Sequence, residues 1–204
     1  MSANLQSRIP VMEHFYTLQG EGFYAGTAAY FVRLAGCDVG CHWCDVKESW
    51  IVDEKQWMNI SDLVDDIKKT ATQRVVITGG EPLMYDLLPL TTALKNENYF
   101  IHIETSGAYP LSGILDWICV SPKKFKPVLK EVLLAANELK CIIFHKSDFA
   151  FAEQNRVLTN EKCQLYLQAE WSKRELFYPE IVAYCKQYPY WKLSVQTHKY
   201  LDIP

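Results

Sequence analysis

The stretch AAYFVRLAGCDVGCHWC (residues 28–44) sets the architecture of this chain. Residues 30–34 are rich in β-branched and aromatic side chains and predict a buried strand. Directly after this strand comes Cys37-x3-Cys41-x2-Cys44, which gathers three thiols within eight residues. Three thiolates can hold three irons of a cubane cluster and leave the fourth iron open to another ligand. The spacing also allows a zinc site completed by His42 or by a distant histidine.

Six more runs of strand-forming residues follow the first. They cover Arg74–Thr78, Phe100–Glu104, Trp117–Val120, Lys140–Phe144, Gln164–Gln168 and Lys192–Gln196. Helical patterns lie between them: a helix capped by Ser61, then Leu87–Lys95, Pro127–Glu138 and Arg174–Gln187. This alternation predicts an α/β fold with a parallel sheet. Since a complete eight-stranded barrel needs about 250 residues, we expect an open, partial βα barrel in a single domain, residues 1–204.

Such a barrel binds its ligand at the carboxyl ends of the parallel strands. Polar segments follow four of the predicted strands: TGGEP (78–82), ETSG (104–107), SPK (121–123) and Gln168. The glycine pair lets the backbone turn tightly beside a ligand, and Glu81 is a candidate partner for an ammonium group. Polar residues at the ends of four strands, all at the same opening of the barrel, predict a large polar ligand.

The composition excludes several classes of protein. Apolar residues make up 49% of the 204 residues and the formal net charge is −3, which does not favour a nucleic-acid partner. No apolar run reaches the roughly 20 residues that span a bilayer, and residues 1–10 do not resemble a signal peptide, so we expect a cytoplasmic protein without a membrane partner. In a reducing compartment, a cysteine cluster indicates metal binding or catalysis. The remaining cysteines, at positions 119, 141, 163 and 185, are interpreted as small buried hydrophobes.

Seven short motifs give the chain a resemblance to a known family. They are HFYTLQGEG (14–22), RLAGC (33–37), WCD (43–45), GGEP (79–82), IETSG (103–107), VSPK (120–123) and QTHKYL (196–201). The cysteine triplet with GGEP resembles the radical S-adenosylmethionine (SAM) superfamily. The other motifs resemble the 7-carboxy-7-deazaguanine synthase family within it. The first and last motifs are not general features of the superfamily, and the match runs from residue 13 to the C-terminus, so the resemblance is specific.

The resemblance implies an enzyme that uses a [4Fe–4S] cluster and SAM. In the family, the methionine part of SAM chelates the open iron, and reduction gives a 5′-deoxyadenosyl radical. The implied reaction converts 6-carboxy-5,6,7,8-tetrahydropterin into 7-carboxy-7-deazaguanine with loss of ammonia, a step towards queuosine. The implied partners are this small-molecule pterin and an electron donor such as flavodoxin. A homodimer is expected on the general ground that it is the commonest assembly of soluble proteins.

The resemblance also assigns roles to individual residues. The cluster ligands are Cys37, Cys41 and Cys44. The residues expected at SAM are Trp43, Cys44, Asp45, Gly80, Ser121, Pro122 and Lys123, with Glu104 and Gln168 near its ribose and adenine. The residues expected at the pterin are Leu18, Gln19, Gly20, Arg33, Thr78 and Pro204, where Arg33 suits the substrate carboxylate because a guanidinium pairs with it bidentately.

One position departs from the family pattern. The family often has Cys-Asp-Thr, where the threonine hydroxyl helps to bind Mg²⁺, but this chain has Cys44-Asp45-Val46. Magnesium requires oxygen ligands, which valine lacks. Either magnesium is not used, or substrate and waters hold it, or Asp45, Glu48 or Ser49 contributes. We expect weak or absent magnesium dependence.

Two other functions remain open at this stage. A radical SAM activase for a glycyl radical enzyme also carries the Cys-x3-Cys-x2-Cys spacing, although QGEG (19–22) and QTHK (196–199) argue against it. A zinc or electron-transfer module is the non-enzymatic alternative. An electron carrier has its cluster fully ligated by protein, whereas this loop supplies three cysteines.

Overall fold

A nine-stranded sheet forms the centre of the computed structural model, which describes residues 7–204. The strands are β1 (Arg8–Leu18), β2 (Ala28–Leu34), β3 (Trp57–Asn59), β4 (Arg74–Gly79), β5 (Phe100–Thr105), β6 (Trp117–Val120), β7 (Glu138–Ile143), β8 (Gln164–Ala169) and β9 (Trp191–Ser194). Their order in the sheet is β3-β1-β2-β4-β5-β6-β7-β8-β9, so the two end strands do not pair with each other. Strand β2 and strands β4 to β9 run parallel, whereas β1 is antiparallel to β2 and β3. The predicted open, partial βα barrel is confirmed.

All seven predicted strands are present, as β2 and β4 to β9, with ends shifted by at most two residues. The largest shifts have a tertiary cause. Strand β7 begins at Glu138 because that residue pairs with Cys119 on one side and Gln164 on the other. Strands β1 and β3 were not predicted.

Among the described residues, six α-helices flank the sheet, and the first five of them cover its outer face. They are α1 (Ile60–Lys68), α2 (Leu88–Asn96), α3 (Lys130–Ala135), α4 (Ser147–Arg156), α5 (Arg174–Gln187) and α6 (Thr197–Leu201). The predicted bounds of α5 are confirmed, and α2 is displaced by one residue. Helices α4 and α6 were not predicted. The longest helix among the described residues has 14 residues, and none of them is both long and apolar enough to cross a membrane.

Two predicted helix starts are wrong. Ser61 lies inside α1, and the capping position belongs to Asn59, whose side chain does not cap the helix and instead donates to Asp62 at 2.9 Å. The helix predicted from Pro127 to Glu138 spans only α3, because the backbone at its two cap residues is extended and Glu138 belongs to β7.

Alternation along the strands separates an apolar outer face from a polar inner face. In β5, Ile101 and Ile103 belong to the apolar core beneath the helices, whereas His102 and Glu104 face the other way. A second apolar core covers β6 to β9 and contains Cys141 and Cys163, with Cys185 partly buried against it. Packing therefore stabilises the outside of the barrel and leaves its interior for polar groups.

Strand β4 ends on Gly79, whose backbone lies directly against the end of β2. Its φ of +129° is a conformation that residues with side chains rarely adopt. A Cβ at this position would lie 2.2 Å from the carbonyl oxygen and 2.3 Å from the nitrogen of Leu34. Glycine is therefore required for the two strand ends to meet.

We expect Gly79→Ala to lower the free energy of unfolding by about 3 kcal/mol, because positive φ and backbone collision both oppose the added methyl group. The matched control is Gly26→Ala, where φ is +84° but no atom lies within 4 Å of the added Cβ. Its cost is the backbone strain alone, about 1 kcal/mol. Urea unfolding followed by circular dichroism measures both values. Equal losses in the two variants would contradict the close approach at Gly79.

Candidate active site

A cavity of about 260 Å³ opens at the carboxyl ends of the parallel strands. The residues that the sequence proposes for the site and that line this cavity are Leu18, Gln19, Gly20, Arg33, Cys37, Cys41, Trp43, Cys44, Asp45, Thr78, Gly80, Glu104, Ser121, Lys123, Gln168 and Pro204. Pro122 is buried and does not line the cavity. The fold thus brings the end of β1, the residue Pro204 and the carboxyl ends of five parallel strands into one place.

The loop after β2 presents the three cysteines of the triplet to the cavity. The end of β4 holds the start of this loop: the Gly80 amide donates to the Leu34 carbonyl and the Glu81 amide to the Gly36 carbonyl, both at 2.9 Å. A Cβ on Gly80 would lie 2.1 Å from the Gly36 oxygen and 2.9 Å from the Cβ of Cys37. The glycine pair therefore fixes where the first cysteine sits.

The donor set of this loop suits an iron–sulfur cluster better than a single zinc ion. The sulfur atoms of the three cysteines do not all lie within 4.8 Å of one another. Within residues 7–204, the one group of His, Cys, Asp or Glu donors that meets this limit lies elsewhere. One zinc ion needs its ligands that close together, whereas a cubane distributes its cysteines over separate irons. Burial raises the pKa of the Cys41 thiol to about 11, so a bound metal has to displace its proton.

Aromatic rings cover the cysteine loop on one side. The Trp43 ring stacks at 6.4 Å from that of Phe144, with 18° between the planes. His42, the histidine of the zinc interpretation, packs edge-on against Phe144 and does not line the cavity. The Lys123 ammonium lies 5.6 Å from the Trp43 ring and donates to the Ser121 carbonyl at 2.7 Å. This wall restricts water at the cysteines and places one cation beside them.

Glu81, the candidate partner for an ammonium group, lines the cavity and also joins two strand ends. It is fully buried, and its carboxylate accepts from the Leu83 amide at 3.1 Å, the Thr105 hydroxyl at 2.6 Å and the Ser106 amide at 2.8 Å. The Ser106 hydroxyl donates to it as well. The carboxylate therefore joins the loop after β4 to the end of β5.

The first and last sequence motifs meet at the edge of the cavity. The Gly20 carbonyl accepts from both the backbone amide and the hydroxyl of Thr197, each at 2.9 Å. The Gln196 amide donates to Glu21 at 2.7 Å. A Cβ on Gly20 would lie 2.1 Å from Nδ1 of His198, which also lines the cavity. The QGEG and QTHK motifs therefore form one structural unit.

Arg33 and Pro204, which are expected to contact the substrate, also make contacts within the protein. Arg33 uses its Nε to pair with Glu13 at 2.6 Å, and its Nη groups have no hydrogen-bond partner among residues 7–204. The Pro204 carbonyl oxygen accepts from the Thr17 hydroxyl at 3.3 Å. Lys199 pairs with Asp45 at 2.8 Å and ties α6 to the cysteine loop.

Lys140 was not predicted from the sequence as a site residue, but it lines the cavity and is 3% exposed. Its ammonium pairs with Glu104 at 2.9 Å and with Glu21. Burial alone lowers the pKa of a lysine and raises that of a glutamate; the attraction between the two reverses both effects, so the pKa of Lys140 is raised and that of Glu104 falls to about 2. The available signal was a lysine inside the apolar run LKCII (139–143).

Glu104 and Gln168 are held in place by neighbouring side chains. The Gln19 amide donates to Oε1 of Glu104 at 2.9 Å, while Lys140 occupies Oε2. The Ser194 hydroxyl donates to Gln168 at 2.6 Å. The cavity floor is therefore a connected polar network, in which each buried group is oriented before any ligand arrives.

Comparison with known proteins gives one consistent result. The model of the radical SAM superfamily matches residues 32–132. The chain is 53% identical over 196 residues to 7-carboxy-7-deazaguanine synthase of Flavobacterium psychrophilum, covering 96% of this chain and 93% of that protein. Identity to the synthase of Escherichia coli is 34%, with 95% and 98% covered. The crystal structure of QueE from Escherichia coli superposes with a TM-score of 0.84 at 35% identity, covering 94% of this chain and 95% of that chain.

We expect Lys140→Met to lower the free energy of unfolding by about 3 kcal/mol, because the partly buried carboxylates of Glu104 and Glu21 lose their counter-charge. The size of this loss in unfolding free energy depends on pH. In the wild type the lowered pKa of Glu104 gives stability above pH 4.5, its usual value, which is lost as the pH falls towards 2. Without Lys140, burial raises the pKa of Glu104, so stability falls as the pH rises above its usual value.

The matched control is Lys192→Met, since Lys192 is exposed and its ammonium contacts the neutral side chain of Gln164 at 2.7 Å. Urea unfolding of both variants between pH 4 and pH 7 gives the comparison. The gap in unfolding free energy between them should narrow as the pH falls. A gap independent of pH would contradict the charge pairing at Lys140.

Proposed function

Since the chain belongs to the 7-carboxy-7-deazaguanine synthase family of the radical SAM superfamily, we propose that its cavity converts 6-carboxy-5,6,7,8-tetrahydropterin into 7-carboxy-7-deazaguanine with loss of ammonia. The chain is a radical SAM lyase of 7-deazapurine biosynthesis. The observation that carries this conclusion is a likeness to such synthases over nearly the whole chain, with the cysteine triplet and the polar strand ends at one cavity.

The cysteine triplet is the proposed ligand set of a [4Fe–4S] cluster. Cys37, Cys41 and Cys44 each supply one thiolate, and no other cysteine lines the cavity among the described residues. When bound, the cluster and SAM supply the 5′-deoxyadenosyl radical with which the reaction begins. The chain itself positions these groups and limits water through the wall formed by Trp43 and Phe144.

The proposed SAM site occupies the mouth of β4 to β6. Its residues are Trp43, Cys44, Asp45, Gly80, Ser121, Pro122 and Lys123, with Pro122 acting from behind the cavity wall. Gly80 offers backbone groups without a side chain in the way. Lys123 offers an ammonium group and Ser121 the hydroxyl to which it donates at 2.6 Å. Glu104 and Gln168 supply oriented oxygen atoms for ribose and adenine contacts.

The proposed pterin site lies between β1, β2 and the C-terminal segment. Arg33 retains its Nη donors for the substrate carboxylate, since Glu13 pairs with Nε. Gly20 offers its backbone amide, since Thr197 occupies its carbonyl, and Gln19 offers a side chain that is oriented by Glu104. The remaining atoms of the substrate are proposed to contact Leu18, Thr78 and Pro204, which line the same cavity.

Several broader features are part of the same proposal. We propose that residues 1–204 act as a single radical SAM domain in the cytoplasm, as a homodimer that receives electrons from a donor such as flavodoxin. The activase alternative is not favoured, because the near-full-length relatives are named as small-molecule synthases.

The decisive experiment is turnover by the isolated protein after anaerobic reconstitution with iron and sulfide. Product is followed by mass spectrometry with SAM, a reductant and 6-carboxytetrahydropterin. We expect Cys41→Ala to abolish turnover, because the cluster loses one of its three protein ligands. The matched control is Cys141→Ala, which changes a buried cysteine in the apolar core outside the cavity and should leave turnover nearly intact.

Two results of this experiment would overturn the proposal. One is equal loss of turnover and cluster in both cysteine variants, which would contradict the ligand assignment. The other is full iron and sulfide loading without pterin turnover, which would contradict the substrate.

We propose that magnesium contributes little to the reaction. Near Val46, the Asp45 carboxylate is paired with Lys199, and the buried Ser49 hydroxyl donates to the Val46 carbonyl at 2.7 Å. Glu48 is exposed and does not line the cavity. The oxygen atoms nearest to the missing threonine hydroxyl are therefore either engaged or directed elsewhere.

We expect magnesium added after chelation to change wild-type turnover by less than about two-fold, because Val46 offers no oxygen ligand. Val46→Thr restores the hydroxyl and should create a magnesium dependence of several-fold or more. Val157→Thr makes the same change at a position that is 66% exposed and distant from the cavity lining, and serves as control. A many-fold rise of wild-type turnover with magnesium would show this expectation to be wrong.

A further inference from the structure

A second polar cluster lies on the inner face of the barrel and outside the cavity lining. It consists of His102 on β5, Cys119 on β6 and Glu138 on β7. One donor atom from each side chain lies within 4.8 Å of the others. The three residues are 2%, 1% and 1% exposed, respectively. Glu104 and Lys140, two residues further along β5 and β7, line the cavity, so this cluster forms the next layer beneath it.

The imidazole of His102 has no hydrogen-bond partner at either ring nitrogen among the described residues. Both nitrogens are buried, and leaving a buried polar group unpaired is costly. Burial lowers the pKa of His102 to about 4, so the ring is neutral near pH 7 and one nitrogen carries a free lone pair. One nitrogen of this ring lies within 4.8 Å of the Cys119 sulfur and of a Glu138 carboxylate oxygen.

A histidine nitrogen, a cysteine sulfur and a carboxylate oxygen form a donor set typical of zinc. A tetrahedral zinc ion with ligands at its usual distances separates them by roughly 3.3 to 3.8 Å, so donors already within 4.8 Å need only small movements. One thiolate and one carboxylate together neutralise the charge of a divalent ion. Three protein ligands leave the fourth tetrahedral position to a water molecule, and because the cluster is buried and does not line the cavity, we assign the ion a structural and not a catalytic role.

The surroundings of Glu138 resemble the support given to a metal ligand. Its Oε2 accepts from the indole of Trp117 at 3.0 Å and from the backbone amide of Phe23 at 3.3 Å. Such outer contacts orient a ligand carboxylate before the metal binds. The Phe23 segment also packs on the cluster, because the ring of Tyr24 lies 6.0 Å from that of His102.

We propose that His102, Cys119 and Glu138 bind one Zn²⁺ ion that joins β5, β6 and β7 beneath the active-site cavity. The ion ties the three strands to the segment between β1 and β2, which carries Gln19 and Gly20 at its start. The zinc site is independent of the reaction, since its three ligands do not line the cavity and zinc binding is measured without turnover.

The test uses the anaerobically reconstituted protein, equilibrated with Zn²⁺ and freed of excess by gel filtration. Iron and zinc are counted by mass spectrometry, and the zinc ligands are read by X-ray absorption at the zinc edge, where iron does not contribute. We expect about one zinc per chain with the iron content unchanged, and one sulfur neighbour at roughly 2.3 Å beside nitrogen and oxygen neighbours.

Cys119→Ser should lower the retained zinc at least ten-fold. Cys141→Ser is the matched control, because Cys141 is equally buried, at 1% exposure, and lies in the outer apolar core; it should retain the ion. His102→Gln tests a second ligand in case the serine variant does not fold. Variants are compared only where circular dichroism and iron content equal those of the wild type.

Three outcomes would overturn the proposal. The first is wild-type protein that retains no zinc. The second is zinc with an unchanged sulfur neighbour in Cys119→Ser, which would place the ion at other cysteines. The third is zinc uptake accompanied by an equivalent loss of iron, which would place it in the Cys37 loop.

Discussion

The close approach of two backbones at the ends of β2 and β4 underlies the whole site. Gly79 and Gly80 lie so close to the backbones of Leu34 and Gly36 that no side chain would fit between them. The approach fixes the start of the cysteine loop and the direction in which β4 leaves the sheet. Glu81 then extends the contact to the end of β5 through its buried carboxylate. Three neighbouring strand ends are thereby held in a fixed relation, and the loops that carry the chemistry depend on it.

A second constraint is the charge of Lys140 inside the barrel. Burying an ammonium is costly unless opposite charges accompany it, and here Glu104 and Glu21 do so from β5 and from the N-terminal motif. Gln196 binds the other oxygen of Glu21 from the C-terminal motif. The first and last sequence motifs are thus joined through one network. Their separation of more than 170 residues in the chain hides a direct contact.

The inner face of the barrel has two polar layers with different surroundings. The upper layer, with Glu104 and Lys140, borders the cavity and is internally paired. The lower layer, with His102, Cys119 and Glu138, is closed off and contains an imidazole without a partner among the described residues. Both layers follow from strand alternation, which directs every second residue inward while the helices cover the opposite face. The upper layer, whose charges are already paired, therefore borders the ligand cavity. The lower layer, with its unpaired imidazole, is the proposed ion site.

Local periodicity and spacing within a few residues suffice to predict the parallel strands, the cysteine loop and the polar strand ends. The same local signals predict the tight turn at Gly79 and Gly80. Strand β1, in contrast, depends on pairing with β2 and β3, because its own residues include Pro10, Glu13 and His14. The same holds for the short α6, which is held by contacts of Thr197 and Lys199 with distant loops. Neighbours on other strands determine the roles of Glu81, Lys140 and His102. Whether a buried charge is paired, or a lone pair is free to bind a ligand, depends on the side chains that the fold places beside it.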